Sequence, residues 1–317
     1  MLNRLIFNNL KTEFILLLVG VLTLLYHFLL QPISNDAQMM ILLSLVFVVG
    51  VPHGALDFLV DEQNEAIKNN QFSVIKFVGV YLTRLFAFAL FWFLPWLAFS
   101  IFIVFSIFHF GETDMSAIVK PNKHAVLLYF SYGSLILSIL LLSHLPEIQD
   151  SLPAVSVFLK EHNLYTFLIN KTSHIISFFS VLFLIIFFMQ QKSGNIRPIG
   201  FHDLVQFICL LFLLVYLPLM LAFTFYFALW HSILSVRNIF AYFKNFNSSR
   251  KFTLICSKSL LFSLLALGSI IGLYFILQFY VPNFNMLFAL LIVLSVLTLP
   301  HLTVMHGMYK NYSKAFN

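Results

Sequence analysis

Ten stretches of this chain are each apolar over a length that crosses a bilayer: 13–31, 38–60, 72–93, 96–116, 124–144, 172–190, 203–219, 220–240, 256–280 and 284–307. A hydrocarbon core about 30 Å thick takes roughly 20 residues of α-helix, and no water is available there to satisfy an open backbone. Long continuous apolar runs select the helix. The chain therefore reads as all-α, a polytopic transmembrane helical bundle of about ten spans forming one integral-membrane domain over residues 1–317. Composition agrees: 61% of residues are hydrophobic and 9% charged, whereas about a quarter are charged in soluble domains. Pro95 and Pro218 mark the two hairpins where hydropathy alone divides neighbouring spans least sharply.

Placement of Lys and Arg tests that count independently. With a cytoplasmic N-terminus, ten spans put Arg4, Lys11, Lys68, Lys76, Lys120, Lys123, Lys192, Arg197, Arg237, Lys244, Arg250, Lys251, Lys258, Lys310 and Lys314 inside. Only Lys160 and Lys171 fall outside, and Arg84 lies within a span. This is the asymmetry the positive-inside rule describes, so both termini are expected to be cytoplasmic. The net charge of +6 then calls for no nucleic acid, because anchoring to membrane lipid at the inner leaflet accounts for it. The basic, apolar N-terminus lacks a small-residue cleavage site before Gln31-Pro32 and reads as an uncleaved first span. Residues 147–171 form the one long polar connection, expected to be a surface helix or lid. Cys209 and Cys256, both in apolar helices, suggest neither a disulfide framework nor a thiolate metal site.

Four histidines sit inside these apolar runs: His53 in VPHGALD, His109 in FHFGETD, His231 in ALWHS and His301 in TLPHLTVMH. They fall on spans two, four, eight and ten, which all run from outside to inside. Each lies 11 to 17 residues from the outer start of its span, a depth of roughly 16 to 26 Å. A neutral imidazole is a good ligand for a divalent metal and a poor guest for lipid, so four at one depth point to an intramembrane metal centre. Four imidazoles without thiolate suit Fe(II), Cu or Zn. The clustered histidine motifs of membrane di-iron enzymes are absent, which favours a mononuclear site.

Neighbouring residues extend the reading. Asp57, four after His53, and Glu112, three after His109, share a helix face with their histidines and are expected to hold the distal ring N–H. Asp114 reads as a solvated cap near the inner interface. Pro52, Gly54, Gly111 and Pro300 are expected to interrupt helices beside the ligands. Ser235, one turn beyond His231, could bond a ligand or a water, and His306 lies about 140° round the helix from His301 and should point away. Phe108, Phe110, Tyr226, Phe227 and Trp230 crowd the histidines and are expected to line a dry channel for a long conjugated molecule.

The blocks PHGALD (Pro52 to Asp57), FHFGETD (Phe108 to Asp114), LWHS (Leu229 to Ser232) and LPH (Leu299 to His301), in this order and spacing, resemble the Brp/Blh family of bacterial and archaeal membrane β-carotene 15,15′-dioxygenases. The resemblance implies a non-haem Fe(II) enzyme of a prokaryotic cytoplasmic membrane. Such an enzyme uses O2 to split the central double bond of β-carotene into two all-trans-retinal for a microbial rhodopsin. It carries iron ligation onto His53, His109 and His231. Family members often read W-H-S-x-x-H where this chain has Ser235, and the fourth ligand is assigned to His301 because its depth fits. An intramembrane haem or quinone protein, or a metal or proton transporter with Arg84 and Asp57 on its path, are the alternative readings.

Overall fold

The computed structural model describes residues 2–120, 124–161, 163–245, 252–280 and 285–314; Lys123, Arg250 and Lys251 of the charge pattern lie outside them. Among the described residues nine helices are long and apolar enough to cross a membrane. In chain order they are Thr12–Leu30, Asn35–Ile67, Val74–Phe93, Pro95–Met115, Ala125–Leu142, Leu164–Lys192, Leu219–Lys244, Ser263–Tyr280 and Met286–Asn311. A shorter apolar helix, Phe201–Tyr216, lies between the sixth and seventh of these and is counted here as the seventh span, which makes Leu219–Lys244 the eighth and Met286–Asn311 the tenth. The 16 residues of the seventh helix measure about 24 Å at 1.5 Å per residue, somewhat less than a hydrocarbon core about 30 Å thick.

Bonds between helix ends show that the spans alternate. On the side where the first span begins, Arg237 at the end of the eighth span donates to Glu13 at 2.8 Å. On the same side Lys120 N–H donates to Asn195 O at 2.7 Å and Arg197 N–H to Ile118 O at 2.9 Å, joining the end of the fourth span to the start of the seventh. On the far side His144, just past the fifth span, sits with its ring nitrogens 2.8 Å from Leu140 O and from Leu217 O. Glu147 there accepts the Leu219 N–H at 2.7 Å. The seventh helix is thus tied near one face at its start and near the other at its end, as a crossing helix must be.

The polar connection after the fifth span folds into two short helices, Leu145–Ser151 and Pro153–Glu161, and the sixth span starts at Leu164, earlier than hydropathy places it. Asn163, with φ of 54°, takes the left-handed conformation that turns the chain into that span. The fourth and fifth spans approach each other closely. A Cβ at Gly111 would land on the Tyr129 carbonyl oxygen, and one at Gly133 on the Ile107 carbonyl oxygen, so the two backbones interlock through reciprocal glycines. Gly111 therefore does not interrupt its helix, which is continuous from Pro95 to Met115. It serves a helix-to-helix contact. Leu135, Ile136, Leu213, Leu214 and Phe225 fill the core on that side of the bundle.

Candidate metal centre

Two of the four histidines sit where a helix departs from regular α geometry. A π-helical segment, Val46–Gly50, leads into a single turn, Val51–Gly54, that carries His53, and the helix resumes at Asp57. His231 ends a longer π-helical segment, Thr224–His231. His301 follows Pro300, whose ring removes a backbone N–H inside the tenth span. His109 and His301 both lie in continuous α-helix, so Pro300, unlike the break at Ala55–Leu56, does not interrupt its span. Extra residues per turn re-aim a side chain, which is why π segments gather at functional sites.

The four rings converge. Ring centroids are 5.5 Å apart for His53 and His231, 4.9 Å for His53 and His301, and 4.8 Å for His109 with each of His231 and His301. His53, His109 and His231 bring donor nitrogens within 4.8 Å of one another, a triad that could hold a metal ion. All four residues are buried, at 6% exposure or less. Both ring nitrogens of His109 and His231, Nδ1 of His53 and Nε2 of His301 are buried with no hydrogen-bond partner among the described residues. So many unpaired buried nitrogens in one cluster would be costly unless something accepts lone pairs from at least one nitrogen of each ring, and a cation does so. The donor set fits a metal bound by imidazole.

Both carboxylates act on partners other than those expected. Asp57 Oδ1 lies 2.8 Å from Nδ1 of His301, not of His53, and its Oδ2 accepts from the Tyr81 hydroxyl at 3.2 Å. The turn at Ala55–Leu56 breaks the helix between His53 and Asp57, so the i, i+4 geometry that would have paired them does not exist. With Nδ1 held this way, Nε2 of His301 is the nitrogen left to face the other three rings. Glu112 is likewise not behind His109: its Oε1 lies 2.7 Å from Nδ1 of His306, across the interface with the tenth span. His306, with its side chain 49% exposed, does point away from the cluster, against Phe108. Asp114 is no solvated cap; its Oδ2 accepts from Tyr132 at 2.9 Å and from Tyr226 at 3.0 Å. Ser235 is fully buried, and its Oγ has no partner among the described residues. Replacing Asp57 with Asn should weaken metal binding by about 10- to 100-fold in a chelator-competition titration, the usual cost of losing a carboxylate behind a ligand histidine. An unchanged affinity would leave Asp57 with no part in holding His301.

A cavity of about 460 Å³ opens from the cluster, and His53, His109, His231 and His301 all line it. The size is that of a small-molecule site. Of the five expected channel residues Phe110 and Phe227 line it, and Phe108, Tyr226 and Trp230 do not. Phe108 is one residue from His109, hence about 100° round the helix, and packs on Tyr129 and Phe130 instead. Tyr226 turns to Asp114, and Trp230 joins the core. Phe223, another of the aromatic residues crowding His231 in the sequence, also lines it, and the lining residues missed from sequence are Phe99, Phe102 and Ser106 on the fourth span and Phe77 and Tyr81 on the third. A signal for most of them existed: 99, 102 and 106 share the helical face of His109. Phe223, Phe227 and His231 likewise follow at intervals of four with stacked rings.

A family model described as beta-carotene 15,15′-dioxygenase matches residues 44–309, which contain all four histidines. A beta-carotene 15,15′-dioxygenase from the uncultured marine bacterium 66A03 is 25% identical over 282 residues, covering 86% of this chain and 94% of that protein. No solved structure matches.

Proposed function

Because the chain belongs to the β-carotene 15,15′-dioxygenase family, we propose that it is an Fe(II) enzyme which splits the central double bond of β-carotene with O2, giving two molecules of all-trans-retinal. One observation carries this reading: four buried imidazoles, three of them with donor nitrogens within 4.8 Å of one another, cluster on the wall of an apolar cavity. The balance needs no outside reductant, since one C=C and one O=O bond break and two C=O bonds form. His53, His109, His231 and His301 would hold the metal, which when bound supplies the activation of O2.

The remaining tasks belong to the chain. Apolar walls hold the polyene by dispersion and keep water from the reacting bond. The near-parallel rings of Phe223 and Phe227, with centroids 5.3 Å apart, offer a flat surface for a conjugated chain beside His231. Asp57, braced by Tyr81, fixes the ring of His301. Gly54 lies beside His301, where a Cβ would stand 3.8 Å from Nδ1, in ordinary van der Waals contact. Rings only 4.8 to 5.5 Å apart leave no plane for a porphyrin between them, which argues against the haem reading. Cytoplasmic termini, which the distribution of Lys and Arg supports, a prokaryotic cytoplasmic membrane and delivery of retinal to a microbial rhodopsin complete the proposal.

Purified protein given β-carotene under 18O2 tests the function. Two retinal molecules per β-carotene consumed, both carrying label from O2, are expected. Absence of retinal, or one oxygen drawn from water in a fast-quenched sample, defeats the dioxygenase reading.

A further inference from the structure

The cavity is not centred on the histidines. On the tenth span its wall runs from His301 to Leu287, fourteen residues or roughly 21 Å of helix toward the far side. In the other direction, on the third span, whose register to the tenth is set by Arg84 on Thr303 and Trp92 on Ser295, it runs from about position 86, level with His301, to Phe77, nine residues or roughly 13 Å. One arm is longer and the other shorter.

The long arm ends against the two short helices that follow the fifth span. Ile148 of Leu145–Ser151, Leu152 in the link and Val155 of Pro153–Glu161 line it. This wall is pinned from several sides. Glu147 accepts the Leu219 N–H at the start of the eighth span, and Asn285, which also caps the tenth span through the Phe288 N–H, donates to Ser151 O at 3.0 Å. His144 lies between Leu140 O and Leu217 O at the root of the first short helix. A segment held at the starts of two histidine-bearing spans has a fixed height above the metal centre.

We propose that Leu152, with Ile148 and Val155, is a specificity-determining stop. One half of the polyene enters the long arm until its terminal ring meets these side chains, and this places the central double bond beside the histidines. The other half leaves past Phe77 through the short arm. The inference rests on the dioxygenase reading and adds to it the device that selects one double bond from a row of chemically similar ones. Chemistry alone does not make that choice, because each candidate bond would give the same pair of C=O groups from one C=C and O2.

The test is product analysis of β-carotene cleavage by wild type, Leu152→Trp and the double variant Leu152→Ala/Val155→Ala. A raised stop should hold the substrate back, lowering retinal formation by about tenfold or more and yielding an unequal pair of aldehydes. A lowered stop should let the chain slide, spreading cleavage over neighbouring double bonds; this variant only removes side-chain volume, so it decides the matter if the Trp variant does not fold. Retinal as the sole product at wild-type rates from the folded variants overturns the stop. Absence of retinal from the wild type overturns the functional reading itself.

Discussion

Alanine at any one of His53, His109, His231 or His301 is expected to abolish retinal formation while the protein still inserts, because insertion follows apolar length and not these side chains. The effect should be all-or-none: an imidazole of this cluster has no spare neighbour to take its place, and three remaining buried rings cannot be re-sited in a packed bundle. His306→Ala and Ser235→Ala serve as controls. His306 lies on the Glu112 side of the tenth span, and Ser235 has no bond to lose among the described residues, so each variant should keep at least part of the activity. Retinal yield per membrane-inserted chain is the measurement. Full activity in His301→Ala would reduce the site to the His53, His109 and His231 triad.

The second large effect is structural. Gly111→Val or Gly133→Val would drive a side chain into the backbone carbonyl of Tyr129 or Ile107, and backbone held in a helix cannot step aside as a side-chain tip can. Overpacking a well-filled core costs about 1–3 kcal/mol, and here the clash falls on main chain, so a cost at or above the top of that range is expected. Both variants should lose monodisperse protein after extraction, or show a much lower Tm. Gly79→Val is the control, since nothing lies within 4 Å of a Cβ there. Equal stability of Gly111→Val and Gly79→Val would mean that the fourth and fifth spans are not interlocked as described.

Much of this was legible in the residues. Hydropathy located the spans because hydrocarbon imposes a fixed length on any helix that crosses it, and the shared direction of spans two, four, eight and ten put the histidines at one depth. Register on each helix was harder to read. Asp57 was assigned to His53 by counting four residues along a regular helix, and the turn at Ala55–Leu56 removes that helix. The π segments at Val46–Gly50 and Thr224–His231 carry no composition that sets them apart from ordinary apolar helix, yet they aim two of the four rings. Adjacency in sequence misled for the channel: Phe108 and Trp230 neighbour ligands along the chain, whereas residues three, four or seven positions away share their face. Glu112 and Asp114 required knowledge of which helix packs against the fourth span, and long-range partners such as His306 and Tyr226 are not encoded in local spacing.

The central claim, that four imidazoles hold one iron, is tested most directly by metal analysis of the purified protein beside His301→Ala, with an absorption spectrum of each. The account predicts about one iron per wild-type chain, no haem Soret band, and iron reduced to a small fraction in the variant. Stoichiometric haem, or retinal formation that persists after iron has been stripped from the wild type, would contradict it.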